Sequence, residues 1–146
     1  MYLALQVARE VALLITRVIF IRDNFLVEFT FKRGDIMNWI ELKSEDQLNV
    51  IKEQSKLKPQ VIFKHSTRCS ISAMAKGRLE RSAAPDNADF YFLDLIAHRG
   101  ISNKISSEFS VFHESPQILL IKNGECIYDE SHGSISMDEI KEQVSA

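Results

Sequence analysis

Cysteine is scarce: the chain of 146 residues has two, Cys69 and Cys126. That is too few for the disulfide scaffold of a small secreted domain. Proline and glycine are also sparse, at three and five, which excludes collagenous and Gly/Pro-rich low-complexity chains. No one sign of charge dominates, because 18 Lys and Arg nearly balance 20 Asp and Glu for a formal net charge of -2. Such a balance gives no electrostatic reason to expect a nucleic-acid partner. Long hydrophobic runs are missing too. The apolar stretches 11–14 and 18–21 are interrupted or flanked by Arg9, Glu10, Arg17, Arg22 and Asp23, whereas a membrane span needs about 20 apolar residues. No clear cleavage site marks a signal peptide. What is present is 45% hydrophobic and 26% charged residues, the mix of a globular domain with room for one core. A single cytoplasmic domain without a membrane partner is the expectation.

Residues 1–36 stand apart as an N-terminal extension. One reading makes them a helix from about Leu3 to Phe20 followed by a strand-like stretch from Phe25 to Phe31. The other places the native start at Met37 and treats the first 36 residues as upstream sequence read in frame. Charge does not separate the two.

Residues 37–146 have a regular rhythm. Trp39 to Leu42 reads as a short strand, and Ser44 with Gln47 as a capping box opening a helix with Leu48, Val50 and Ile51 inward. Val61-Ile62-Phe63 is a continuous apolar run, the mark of a strand buried on both faces. A helix follows Cys69 and is stopped by Ala84-Pro85. Phe90 to Leu95 is the next buried strand, and Ile101, Ile105 and Phe109 are spaced as one helix face after a turn at His98-Arg99-Gly100. Ile118 to Ile121, Asn123-Gly124 and Cys126 to Tyr128 read as a hairpin. Ser136 and Glu139 form a second capping box for a closing helix through Ile140 and Val144. Strands alternating with helices, closed by an antiparallel pair, predict an α/β layer in one domain.

The segment Lys64-His65-Ser66-Thr67-Arg68-Cys69-Ser70-Ile71-Ser72 lies between a buried strand and a helix, where open α/β sheets place their sites. A cysteine in the first turn of a helix meets unpaired N–H groups and the positive end of the dipole, which favour the thiolate. Arg68, with His65 or Lys64, adds positive charge. Against this stands a buried, inert cysteine packed on the sheet. His65, His98, His113 and His132 with two cysteines show no metal-ligand spacing. Cys126, on the returning hairpin strand, reads as a packed apolar residue rather than a resolving thiol.

From Trp39 to Val144 the element order resembles the thioredoxin fold, a mixed central sheet of four to five strands flanked by helices. Cys69-Ser70-Ile71-Ser72 stands where thioredoxins carry Cys-x-x-Cys, and Ser115-Pro116-Gln117 resembles that fold's cis-proline loop. More narrowly, Phe63 to Cys69 together with His113-Glu114-Ser115-Pro116-Gln117 is similar to the YtxJ family of bacillithiol-system, monothiol bacilliredoxin-like proteins. The resemblance implies Cys69 as the attacking thiolate and Ser72 in place of a resolving cysteine. It implies Thr67, Arg68, Ser70, His113, Ser115 and Pro116 as the substrate-binding rim, and a cis bond before Pro116. Its implied co-substrate is bacillithiol, with no bound cofactor, and its implied partners are S-thiolated cytosolic proteins under oxidative stress. The family usually has proline where this chain has Ser70, which bears on tuning rather than on the nucleophile.

Two other readings compete. One keeps the fold as a non-catalytic peptide-binding or adaptor module. The other makes Cys69, His113 and Glu114 a hydrolase or transferase site, which requires imidazole within hydrogen-bond reach of sulfur.

Overall fold

The computed structural model describes residues 17–22, 25–30 and 37–146. Strands β1 (Arg17–Arg22) and β2 (Phe25–Thr30) form a two-stranded antiparallel ladder, with Arg17 opposite Thr30 and Arg22 opposite Phe25. Phe25–Thr30 is a strand as expected. Residues 17–20, expected at the end of a helix, are strand instead, and the rest of that expected helix lies outside the described residues. The run Val18-Ile19-Phe20-Ile21 is β-branched and aromatic, and an apolar partner strand is two residues away, so pairing overrides a helical reading.

The main sheet grows from alternating segments: β3 (Trp39–Glu41), α1 (Asp46–Gln54), β4 (Gln60–His65), α2 (Ser70–Glu80), β5 (Asp89–Asp94), α3 (Arg99–Glu108), β6 (Gln117–Lys122), β7 (Glu125–Ser131) and α4 (Met137–Ser145). Spatial order is β3-β5-β4-β6-β7. Parallel pairing joins β5 to β3 and β4, whereas β6 runs antiparallel to β4 and β7. Every residue of β4 is buried, as a central strand covered on both faces must be. Asn123 and Gly124 turn the β6–β7 hairpin with φ of 54° and 83°, the left-handed pair that a tight hairpin requires.

Side chains alternate along β4 between two cores. Phe63 packs with Ala75 and Leu79 of α2 and with Ile140 and Val144 of α4. Ile62 packs on the other face with Leu48 and Ile51 of α1 and with Ile101 and Ile105 of α3. Two expectations need correction. Val50 is 48% exposed, because it lies about 200° around the helix from Leu48, which faces the sheet. The capping boxes form only in part. Gln47 Oε1 accepts from the N–H of Ser44 at 3.0 Å and of Lys43 at 2.7 Å, but the helix starts one residue later, and Ser136 caps α4 without a side-chain hydrogen bond. Among the described residues no helix is long and apolar enough to cross a membrane.

Candidate functional site

The carboxyl end of β4, its parallel neighbour β5 and the start of antiparallel β6 lie at one edge of the sheet, with Lys64 opposite both Leu93 and Gln117. Cys69 follows β4 at this edge. It occupies the N-cap of α2, with φ -112° and ψ 121°, rather than the first turn. The physical reason is a tight turn before it: the Cys69 N–H donates to Ser66 O at 3.1 Å, and the first helical bond runs from the Ala73 N–H to Cys69 O. Cys69 is a free thiol, half-buried, at the end of the helix where backbone N–H groups lack partners. Thr67, Arg68 and Ser70 beside it are exposed, and so are Ile71 and Met74, at 53% and 64%.

Ser72, one turn into α2, is fully buried. Its Oγ accepts from the Ser66 N–H at 3.0 Å and lies 2.8 Å from His65 Nδ1. The hydroxyl therefore ties the Cys69-bearing loop to α2 and to β4. His65 sits against Phe63 and Phe92, with ring centroids 5.8 and 5.3 Å away. Burial, followed by the Lys76 ammonium, lowers its pKa from the ordinary 6.5. The expectation that His65 adds positive charge near Cys69 is thus corrected: burial and the Lys76 ammonium favour the neutral form of this imidazole.

Lys64 points to the opposite face and is fully buried. Its Nζ donates to Gln117 Oε1 at 2.8 Å and to His113 Nδ1 at 2.9 Å. Gln117 in turn accepts from the Glu114 N–H and donates to Phe112 O and Asp129 Oδ2. Burial, then the Arg99 guanidinium, pulls the lysine pKa down to about 8, against the carboxylates of Asp129 and Glu114. Sequence reasoning did not find Gln117 or Ser102 in this network. A lysine inside an otherwise apolar strand run was the one available signal.

The loop 112–116 brings the remaining expected residues to this edge. The Ser115–Pro116 bond is cis, as the resemblance implies. Pro116 is buried and its carbonyl accepts from the His132 N–H at 3.0 Å. Ser115 Oγ is buried and has no hydrogen-bond partner among the described residues. Glu114 does not orient His113. Its carboxylate pairs with His132 Nδ1 at 3.0 Å, while His113 Nδ1 is taken by Lys64 and approached by Ser102 Oγ at 3.3 Å. This removes the carboxylate–imidazole pair that a Cys69–His113–Glu114 hydrolase would use. His98 caps α3, whose first residues are Arg99 and Gly100 rather than a turn.

Cys126 packs at the edge of the α1/α3 core, and its Sγ donates to Tyr128 O at 3.3 Å. Burial, then the nearby Asp129 carboxylate, pushes its pKa up to about 11. At neutral pH this sulfur stays protonated and is a poor nucleophile.

Sheet order, helix positions, a cysteine at the α2 N-cap and a serine three residues on define a thioredoxin-fold protein with one thiol between β4 and α2. The family model for the monothiol bacilliredoxin BrxC matches residues 40–140. The chain belongs to the monothiol bacilliredoxin family. A solved thioredoxin-fold structure, itself only provisionally described as an oxidoreductase, is 32% identical; the match covers 73% of this chain and 93% of that one, with a TM-score of 0.64. Thioredoxins from Schistosoma mansoni and Nicotiana alata are each 21% identical with TM-scores of 0.57. Each match covers 75% of this chain, and 94% and 92% of those chains respectively. They share the fold. The family and the fold together give the protein a redox function.

Proposed function

We propose that the protein is a monothiol thiol–disulfide oxidoreductase that acts, through Cys69, on mixed disulfides between cytosolic proteins and bacillithiol. The thiolate of Cys69 attacks the small-thiol sulfur of the mixed disulfide. The existing S–S bond breaks, a new one forms to Cys69, and the target protein leaves as a thiolate that takes a proton from solvent. A second small thiol, as thiolate, attacks the Cys69 adduct, releasing Cys69 and a symmetric disulfide of the small thiol. Electrons balance: the protein sulfur passes from disulfide to thiol as the second small thiol passes from thiol to disulfide, and the small-thiol sulfur already in the mixed disulfide keeps its oxidation state. Bacillithiol acts as co-substrate, and the setting is the cytoplasm under oxidative stress, as in the YtxJ proteins that the site segments resemble.

One observation carries this reading. The half-buried thiol of Cys69 caps α2, while the position one turn on holds the hydroxyl of Ser72. A hydroxyl cannot close a disulfide, so the adduct waits for a second thiol molecule. Thr67, Arg68, Ser70, His113, Ser115 and Pro116 form the substrate rim in this reading. The test is incubation with a peptide in mixed disulfide with bacillithiol, followed by intact mass. One bacillithiol adduct on Cys69, released peptide thiol, and none of either in Cys69→Ser are expected. Peptide binding that survives in Cys69→Ser, with no thiol released by the native chain, would instead make the protein an adaptor.

A further inference from the structure

A fully buried lysine needs an explanation, because an ammonium without water is costly unless its hydrogen bonds are met and its position matters. Lys64 has two partners: Gln117 Oε1 and His113 Nδ1. Lysine can only donate when charged, so the bond at 2.9 Å makes His113 Nδ1 an acceptor. The ring proton then sits on Nε2. Ser102 Oγ, 3.3 Å from the same Nδ1, crowds that nitrogen further. His113 is an exposed residue, so its inner nitrogen is held while its outer edge faces solvent. It lies at the edge of the sheet that carries Cys69, since Gln117 at the start of β6 pairs with Lys64 near the end of β4.

We propose that Lys64 is a positioning residue for exchange at Cys69: it holds His113 as a neutral ring whose Nε2–H faces the incoming disulfide, and through Gln117 it pins the 112–116 loop that carries that ring. The loop is held at two points, Phe112 O and the Glu114 N–H, by the one amide of Gln117. A neutral N–H donor serves the departing thiolate without itself having to lose a proton. Groups facing the pair come from several elements: Lys64 from β4, Arg99 from α3, Asp129 from β7 and Glu114 from the loop. Partial burial, then Lys64 and Arg99, oppose a proton on His113, and Glu114 alone favours one. The balance lowers the pKa of the ring from the ordinary 6.5 and so favours its neutral form.

This inference rests on the exchange reading above, and its test separates the two. Ring nitrogens of the histidines are followed by heteronuclear NMR on the full native chain across pH, and exchange with the bacillithiol–peptide disulfide is timed in parallel. His113 is expected as the Nε2–H tautomer with a midpoint below the ordinary value of about 6.5. In Lys64→Met the midpoint rises toward that value, and the exchange rate acquires a new step there. Near neutral pH, Lys64→Met and His113→Ala each slow exchange by about fivefold, the scale of one hydrogen bond. The double variant is no slower than either single one. A proton on Nδ1 in the native chain, or an ordinary midpoint there, overturns the lock, and this spectrum needs no variant to fold. Equal losses from Lys64→Met with and without His113 would reduce Lys64 to a structural role and overturn the proposal. If the native chain transfers no thiol, the exchange reading fails, while the spectrum still decides whether Lys64 sets the ring.

Discussion

Ser72 Oγ stands 2.8 Å from His65 Nδ1 and also accepts the Ser66 N–H at 3.0 Å, so the hydroxyl one turn after Cys69 is a structural bond in its own right. All of Ser72 is buried. Ser72→Ala would strand a backbone N–H and an imidazole nitrogen without replacing either bond, which costs about 1–3 kcal/mol. We expect urea unfolding to show a loss of that size, with the bacillithiol adduct still forming on Cys69. An unchanged unfolding midpoint would mean that the loop does not depend on this hydroxyl.

The two cysteines are expected to behave oppositely. Iodoacetamide at neutral pH should label Cys69 and leave Cys126 untouched in the folded chain, because burial and Asp129 push the second thiol up to about 11. Peptide mapping after a short pulse reads both sites at once. Label on Cys126, or a Cys69–Cys126 disulfide forming readily under mild oxidant, would argue for a two-thiol route.

The alternation of strands and helices was legible because β4, β5 and β6 are apolar runs that only a covered sheet would take. Cys69 was legible as a helix-start thiol, but the cap position was not, since one loop bond from Cys69 N–H to Ser66 O decides where the helix begins. The polar network was legible only as isolated residues. Lys64 and Gln117 are 53 residues apart, and Ser102 comes from a third element, so their meeting depends on strand order rather than on local spacing. Glu114 looked like a partner for His113 by adjacency. The fold gives it to His132 instead, because the extended loop turns neighbouring side chains to different sides.

Stability should fall on mild acidification before carboxylates matter. Both His65 and His113 have pKa values lowered from 6.5 in the folded protein, so the unfolded chain binds more protons as pH drops below that value. Their contribution is fully present above 6.5 and is lost as pH falls through the folded values. Thermal midpoints measured downward from neutral pH should decline in this window, and less so in His65→Gln. A flat profile, or the same decline in that variant, would show that His65 is not held neutral.

Lys64 should reveal itself at alkaline pH with the opposite practical consequence. Its pKa is lowered from 10.5 to about 8, so between those values the unfolded chain keeps a proton that the native chain has released. The burial penalty on the ammonium is therefore felt in full below 8 and fades as pH rises to 10.5. Relative to Lys64→Met, the native chain should gain up to about 3 kcal/mol across this interval, from the size of the shift. The variant leaves no orphan, since Gln117 Oε1 keeps the Glu114 N–H and His113 Nδ1 keeps Ser102 Oγ. Near neutral pH it is expected to be at least as stable as the native chain, as replacements of buried charge by apolar groups often are. Urea midpoints of both proteins at matched pH give the difference directly. A gap that does not change with pH would show that the lysine keeps its ordinary ionisation, and with it the ability to stay charged throughout the working range.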